Sequence, residues 1–412
     1  MKRLLSVLLS MIIVLSICTL SVEAEASSAT MSAFLSAYKN GNFSRADEIA
    51  KKLPKKAKSY NSKMNSKMKN AFLKKIISTD NVSCYYLADI TGDKKPELFL
   101  RVGKYEVDAF FYTYKFSKGK LVKIGKFSGG NSGLGDYPGK KAVIKYYGHM
   151  SGESISKITY SKGKIREKKL NTRICKYEYT AVPYKLATYY CGTYGKYNLS
   201  PFSIKNTKTV KKARKNINKL VKRVNPAIFK FYPKTKAITL SAKNKTILAA
   251  LAVSQNNKKS IYKNESIKNN KKRLFRIKKS YIKSEYKKLF GGKPALKKLS
   301  KTYKKHTKKS IGNEVVKSAN GKKIYGNTTF WLTVKDGSFV EKYLYKTAKV
   351  ECISKIKGGY RVAVGHYMTK HYQSGATSDM SYAHTLIDVK KNSKSKYKNV
   401  IKKIHCISYV KY

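Results

Sequence analysis

Apolar residues recur every three to four positions at the start of the chain and every second position after residue 82. That change of period is the first boundary the sequence offers. Met31, Phe34, Leu35 and Tyr38 share one helical face, and the helix stops at Asn40-Gly41. Ser44 and Asp47 read as a capping box opening a second helix, with Ala46, Ile49, Ala50 and Leu53 inward and Pro54 as its end. Tyr60, Met64, Met68, Ala71, Phe72 and Ile76 define a third. Seven strands follow over 82–90, 97–103, 107–116, 121–127, 141–147, 154–160 and 165–170, separated by Gly-bearing turns, and they predict an antiparallel β-meander. The turn Ser117-Lys-Gly-Lys120 recurs as Ser161-Lys-Gly-Lys164. Two copies are too few for a closed propeller of about four to eight blades.

Farther on, Val210, Ala213, Ile217, Leu220, Val221 and Val224 predict an amphipathic helix over Thr207–Val224, with Asn225-Pro226 as its break. Residues 229–245 read as a connector. A short helix over 246–253 and a long one over Ser266–Phe290 come next, the latter closed by Gly291-Gly292. Five strands follow over 324–334, 339–353, 360–371, 382–390 and 397–409, with Asp336-Gly337 and Gly358-Gly359 as hairpin turns. The expected fold class is α+β: a helical N-terminal region, a β-meander, then a helix packed on a curved antiparallel sheet, analogous to cystatin-like or NTF2-like folds. Expected domains are 27–80 (helical), 81–224 (meander closing in an amphipathic helix), 225–245 (linker) and 246–412 (C-terminal α+β).

The first 26 residues change the cellular context. Lys2 and Arg3 precede an uncharged apolar run from Leu4 to Leu20, and Ala24-Glu25-Ala26 supplies small residues for cleavage. The expectation is export, a mature start at Ser27, and no transmembrane segment in the mature chain. Cys18 is preceded by Ile17, which argues against lipidation. Five cysteines remain beyond this leader, and Cys175 with Cys191 and Cys352 with Cys406 are the pairs within reach of one domain; buried free thiols are the alternative.

Charge then narrows the partners. Lys and Arg number 90 against 22 Asp and Glu, a net +68. Density of one sign favours polyanions. Only ten of the cations are Arg, and Lys acts as a point charge rather than a bidentate fork, so specific nucleic-acid recognition is not expected. Expected partners are anionic wall polymer, an anionic lipid surface or glycan. Residues 201–310 hold 35 Lys or Arg against Glu265 and Glu285, or +33. Read as a helix, Ser266–Phe290 would present Lys268, Lys271, Lys272, Arg276, Lys279, Lys283 and Lys287 outward. Like charges at that spacing repel, and a bound polyanion would relieve the repulsion.

Catalytic chemistry is thinly signalled. His366, His371, Asp379 and His384 cluster in sequence, but a spacing of five on one strand points His366 and His371 to opposite faces. Glu153 and His149 flank a Gly-bearing loop. No HExxH, GxSxG or Cys–His pattern occurs, and Gly129–Gly135 lacks the GK[ST] ending of a phosphate loop, which leaves a hairpin loop.

The segment DITGDKKPEL, Asp89–Leu98, resembles the Asp-rich calcium loop of FG-GAP-type and dockerin-like modules. The resemblance implies calcium held by Asp89, Thr91, Asp93, Glu97 and the Lys95 carbonyl. Thr91 stands where the family carries a second acid, and Lys94-Lys95 replace its usual Gly-containing step, so a strand–turn–strand without the ion is the alternative. Over residues 30–170 the chain resembles exported proteins of Gram-positive anaerobes that join a short helical region to a β-meander with one acidic loop. The combined reading is a secreted, non-enzymatic polyanion-binding protein. A wall or glycan hydrolase and a membrane-active basic protein are the alternatives.

Overall fold

The computed structural model describes residues 29–53, 60–103, 107–137, 140–149, 152–174, 199–204, 207–231, 240–256, 261–266, 272–296, 329–335, 347–371 and 377–409, some by backbone alone. The leader and the Cys175–Cys191 pair lie outside the described residues. The chain is α+β and groups into two units: residues up to 72 with 81–192, and residues 73–80 with 193–411.

In the first unit, α1 (residues 29–39) turns at Gly41, where φ is +75°, into α2 (Phe43–Lys52). The cap of α2 is Asn42, whose side chain accepts the Arg45 N–H at 3.2 Å, so the helix starts just before the expected Ser44. Asn65 accepts the Met68 N–H at 2.9 Å and opens α3 (Ser66–Ser78). Tyr60 and Met64, read as part of that helix, therefore precede it.

Eight strands follow: β1 (Val82–Ala88), β2 (Glu97–Val102), β3 (Phe110–Ser117), β4 (Lys120–Ser128), β5 (Ser132–Asp136), β6 (Ala142–His149), β7 (Gly152–Ser161) and β8 (Lys164–Ile174). They form two four-stranded antiparallel sheets in sequence order, β1 to β4 and β5 to β8. The Gly-rich stretch is thus only partly loop, because Ser132–Asp136 pairs with β6. Tyr86, Phe99, Phe111 and Phe127 of the first sheet pack on Leu134, Val143 and Ile158 of the second. The opposite face of the second sheet, through Ile144 and Ile155, buries Met31, Phe34, Leu35 and Tyr38 of α1. Both repeated Lys-Gly turns place two residues at positive φ (Lys118 47°, Gly119 76°; Lys162 49°, Gly163 75°), the backbone of a type I′ hairpin.

The second unit contains α4 (Lys208–Phe231), α5 (Ala242–Asn256), β9 (Ile261–Ser266), β10 (Lys272–Lys278), α6 (Lys279–Phe290), β11 (Thr329–Lys335), β12 (Thr347–Ile356), β13 (Gly359–His371), β14 (Thr377–Lys391) and β15 (Asn399–Tyr409). Its core joins Ile217, Leu220 and Val224 of α4, Leu248 and Val253 of α5, and Ile282 and Leu289 of α6 to Val362, Ile387 and Ile404 of the β12–β15 sheet. Three expectations are corrected here. First, α4 runs through Pro226 to Phe231, and buried Ile228 gives the extra turn an apolar anchor. Second, Ser266–Phe290 is not one helix. Its middle is β10, paired along its length with β11, and among its described residues only Lys279–Phe290 is helical. Third, β11 stands in a sheet with β10 and β9 rather than with β12; Asp336-Gly337 lies outside the described residues, and Gly358 turns β12 into β13.

Cys352 is buried and outside any disulfide. Cys406 stands on β15, three strand spacings from β12, or about 14 Å at ~4.8 Å each, well beyond the ~7 Å Cα separation a disulfide tolerates.

Candidate functional site

The β1–β2 turn brings Asp89, Thr91, Asp93 and Glu97 together. Asp89 accepts the Gly92 N–H at 2.6 Å on Oδ1 and the Lys94 N–H at 2.8 Å on Oδ2. Glu97, only 1% exposed, accepts the Ile90 and Thr91 N–H groups at 3.0 and 3.3 Å on Oε2 and the Thr91 hydroxyl at 3.1 Å on Oε1. Asp93 accepts the Lys95 N–H at 2.9 Å, and its second oxygen is 3.2 Å from the Lys115 ammonium, which also donates to Thr91 Oγ1 at 3.3 Å. Burial pushes the Glu97 carboxyl up to about 7, helped by the charges of Asp93 and Asp89, against the lowering effect of its hydrogen bonds.

This geometry bears directly on calcium. The ion takes six to eight oxygens at about 2.3–2.6 Å. Every carboxylate oxygen of Asp89, Asp93 and Glu97 faces an N–H, a hydroxyl or an ammonium; each keeps a second lone pair beyond its backbone or hydroxyl donor, and the Lys115 ammonium beside Asp93 is the charge a bound ion would oppose. Among the described residues no group of three or more His, Cys, Asp or Glu converges as a metal site. In this arrangement Lys115 neutralises Asp93 across the turn. Spacing alone showed the acids; Lys115 sits on a strand 24 positions after Thr91 and gave no local signal.

The predicted basic positions do not share one helical face. Lys272 and Arg276 belong to β10, and Lys279, Lys283 and Lys287 to α6, where Lys283 and Lys287 are exposed. Lys268 and Lys271 lie outside the described residues. Of the two acids in residues 201–310, Glu285 is 1% exposed and is held by Arg223 at 2.5 and 3.0 Å and by Lys288 at 3.4 Å. It neutralises cations internally and offers nothing to the surface. The basic feature that sequence reading passed over is α4 itself. Its 24 residues contain nine Lys or Arg and no acid, and Lys208, Lys211, Lys212, Lys215, Lys219 and Lys222 are all exposed.

His366 and His384 are interior, 2% and 0% exposed; His366 Nε2 is 3.1 Å from Thr385 Oγ1, and His384 Nε2 is 3.4 Å from Glu351. Burial first, then the neighbouring His384, drives the His366 pKa well down. The side chains of His371, Asp379 and His149 lie outside the description. A second group joins Asp388 to Arg361 at 2.8 and 3.1 Å and to His405 at 2.7 Å. Burial acts to raise the Asp388 carboxyl, but these bonds and charges together hold it down at about 2. Glu153 accepts from the Tyr146 hydroxyl at 3.0 Å and lies 3.5 Å from Arg173, which also binds Asp47 at 2.9 Å. That chain of charges ties α2 to β7 and β8. The one hydroxyl–imidazole pair among these groups, Thr385 with His366, is buried between neighbouring strands.

Comparison of the chain with family models, with curated proteins and with solved structures returned no match. Among the described residues no helix is long and apolar enough to cross a membrane.

Proposed function

We propose that this is an exported, non-enzymatic surface protein that holds anionic wall polymer electrostatically through its second unit. The observation carrying this reading is the disposition of charge in residues 201–310. The one acid whose side chain is described there, Glu285, is buried against Arg223, while lysines of α4 and α6 face solvent. The leader-like pattern of residues 1–26 supports a location where such polymers occur. The helices laid on the β12–β15 sheet are read as analogous in architecture to cystatin-like and NTF2-like folds, a likeness without bearing on activity.

The test is retention on isolated cell walls across a salt series. Screening shortens from ~10 Å at 0.1 M to ~3 Å at 1 M, so the expected outcome is steep release between those concentrations. Retention unchanged at 1 M salt would overturn the proposal.

A further inference from the structure

Resting on that reading and sharpening it, we propose that the solvent face of α4 is a docking line for a single extended phosphodiester polymer. At 100° per residue, Lys208, Lys211, Lys212, Lys215, Lys219 and Lys222 fall within an arc of about 100°, and the row runs for about 21 Å along the helix. Among the described residues no ion pair joins any of the six. The two arginines in the same stretch are used otherwise: Arg214 donates to the Val350 carbonyl at 3.4 Å and Arg223 grips Glu285. The fully exposed cations of the stretch are therefore lysines, compact point charges suited to isolated anionic groups.

Three further observations select the partner. The helix is held in place from behind, because Ile217, Leu220, Val221, Val224 and Ile228 are all fully or almost fully buried, so the row is preorganised. Among the described side chains of α4 that same packing leaves no apolar face to sink into a bilayer, which argues against a lipid surface. Lys208, Lys212, Lys215, Lys219 and Lys222 stand three or four residues apart, about 4.5–6 Å along the axis, with Lys211 beside Lys212, whereas the two strands of duplex DNA together carry one charge per ~1.7 Å. A single extended strand with one phosphate per several-atom repeat fits the coarser spacing, and the leader-like pattern of residues 1–26 favours a polyol phosphate of the cell wall as that strand. Its phosphates would also relieve the lysine–lysine repulsion along the helix.

The experiment uses the full chain and purified linear poly(glycerol phosphate), with affinity measured by titration from 50 to 300 mM NaCl. One variant carries Lys212→Gln, Lys215→Gln, Lys219→Gln and Lys222→Gln. A matched control carries Lys120→Gln, Lys164→Gln, Lys168→Gln and Lys169→Gln, exposed lysines of the first unit with the same change in charge. Glutamine keeps helix propensity, and unchanged helical circular dichroism confirms the fold. The α4 variant should bind about tenfold or more weakly at 100 mM salt, with its salt slope reduced by roughly two to three, while the control stays within about twofold of wild type. Equal weakening of both variants would overturn the docking line and leave the broader polyanion reading standing. No binding of the wild-type chain even at 50 mM salt would overturn both. Loss confined to anionic vesicles or to duplex DNA, with the polymer unaffected, would assign the face to those partners and overturn the proposal.

Discussion

Glu97 shows how a single residue can carry both a structural role and a pH response. Its folded pKa of about 7 lies above the ordinary 4.5, so between those values the folded chain holds the extra proton. The associated stability is fully present below about pH 4.5 and is lost as pH rises through about 7, an effect on the order of 3 kcal/mol. Glu97→Gln keeps a carbonyl for the Ile90 and Thr91 N–H groups and cannot titrate. Hydrogen exchange over residues 82–102 should therefore become faster, beyond its intrinsic pH dependence, from pH 4.5 to 7 in the wild type and not in this variant. A wild-type pH trend retained in Glu97→Gln would refute the assignment. At this scale the sequence revealed the acids, because Asp89, Thr91, Asp93 and Glu97 lie within nine residues. It concealed the cation, because Lys115 arrives by strand pairing. Glu285 was visible as an isolated acid in a basic stretch, but its burial against Arg223 depends on two helices meeting.

Elements were legible where their period was long or strictly alternating. The strands of the first unit follow the aromatic and β-branched runs closely, since alternation admits few other readings. Leu274, Phe275 and Ile277 satisfy a helix and a strand equally well over so short a run, and the decision fell to pairing with β11, which lies more than fifty residues on. The passage of α4 through Pro226 overrides a strong local rule. Proline in a helix interior removes one hydrogen bond and costs about 3 kcal/mol, offset in part by a stiffer unfolded chain. Pro226→Ala should therefore raise stability by about 1–2 kcal/mol in urea unfolding. A fall instead would show that the helix does not run continuously through that position.

For the molecule as a whole, the two units should respond to pH in opposite directions. In the first, Glu97 loses its contribution as pH climbs towards 7. In the second, the depressed His366 pKa means that the unfolded chain takes up a proton the folded chain refuses, so stability present above about pH 6.5 is lost as pH falls. Asp388, ordinarily near 3.8 and held at about 2, adds a further loss as pH falls through that range. Between pH 7 and 4.5, hydrogen exchange corrected for intrinsic rate should slow over residues 82–102 and quicken over 359–391. Parallel movement of both segments would contradict this account. Composition made the net charge plain from the start, yet its placement was not legible, because which lysines of a helix face solvent depends on the sheet that takes the other side.

The acid-free face of α4 also has a kinetic consequence. A helix whose lysines repel along its length gains little from local contacts, and nucleation is costly in any case. In dilute salt α4 should consequently settle late, after the β12–β15 sheet offers it an apolar bed. An anionic polymer lying nearby would neutralise the row early and so hasten folding, making the ligand a template for the surface that binds it.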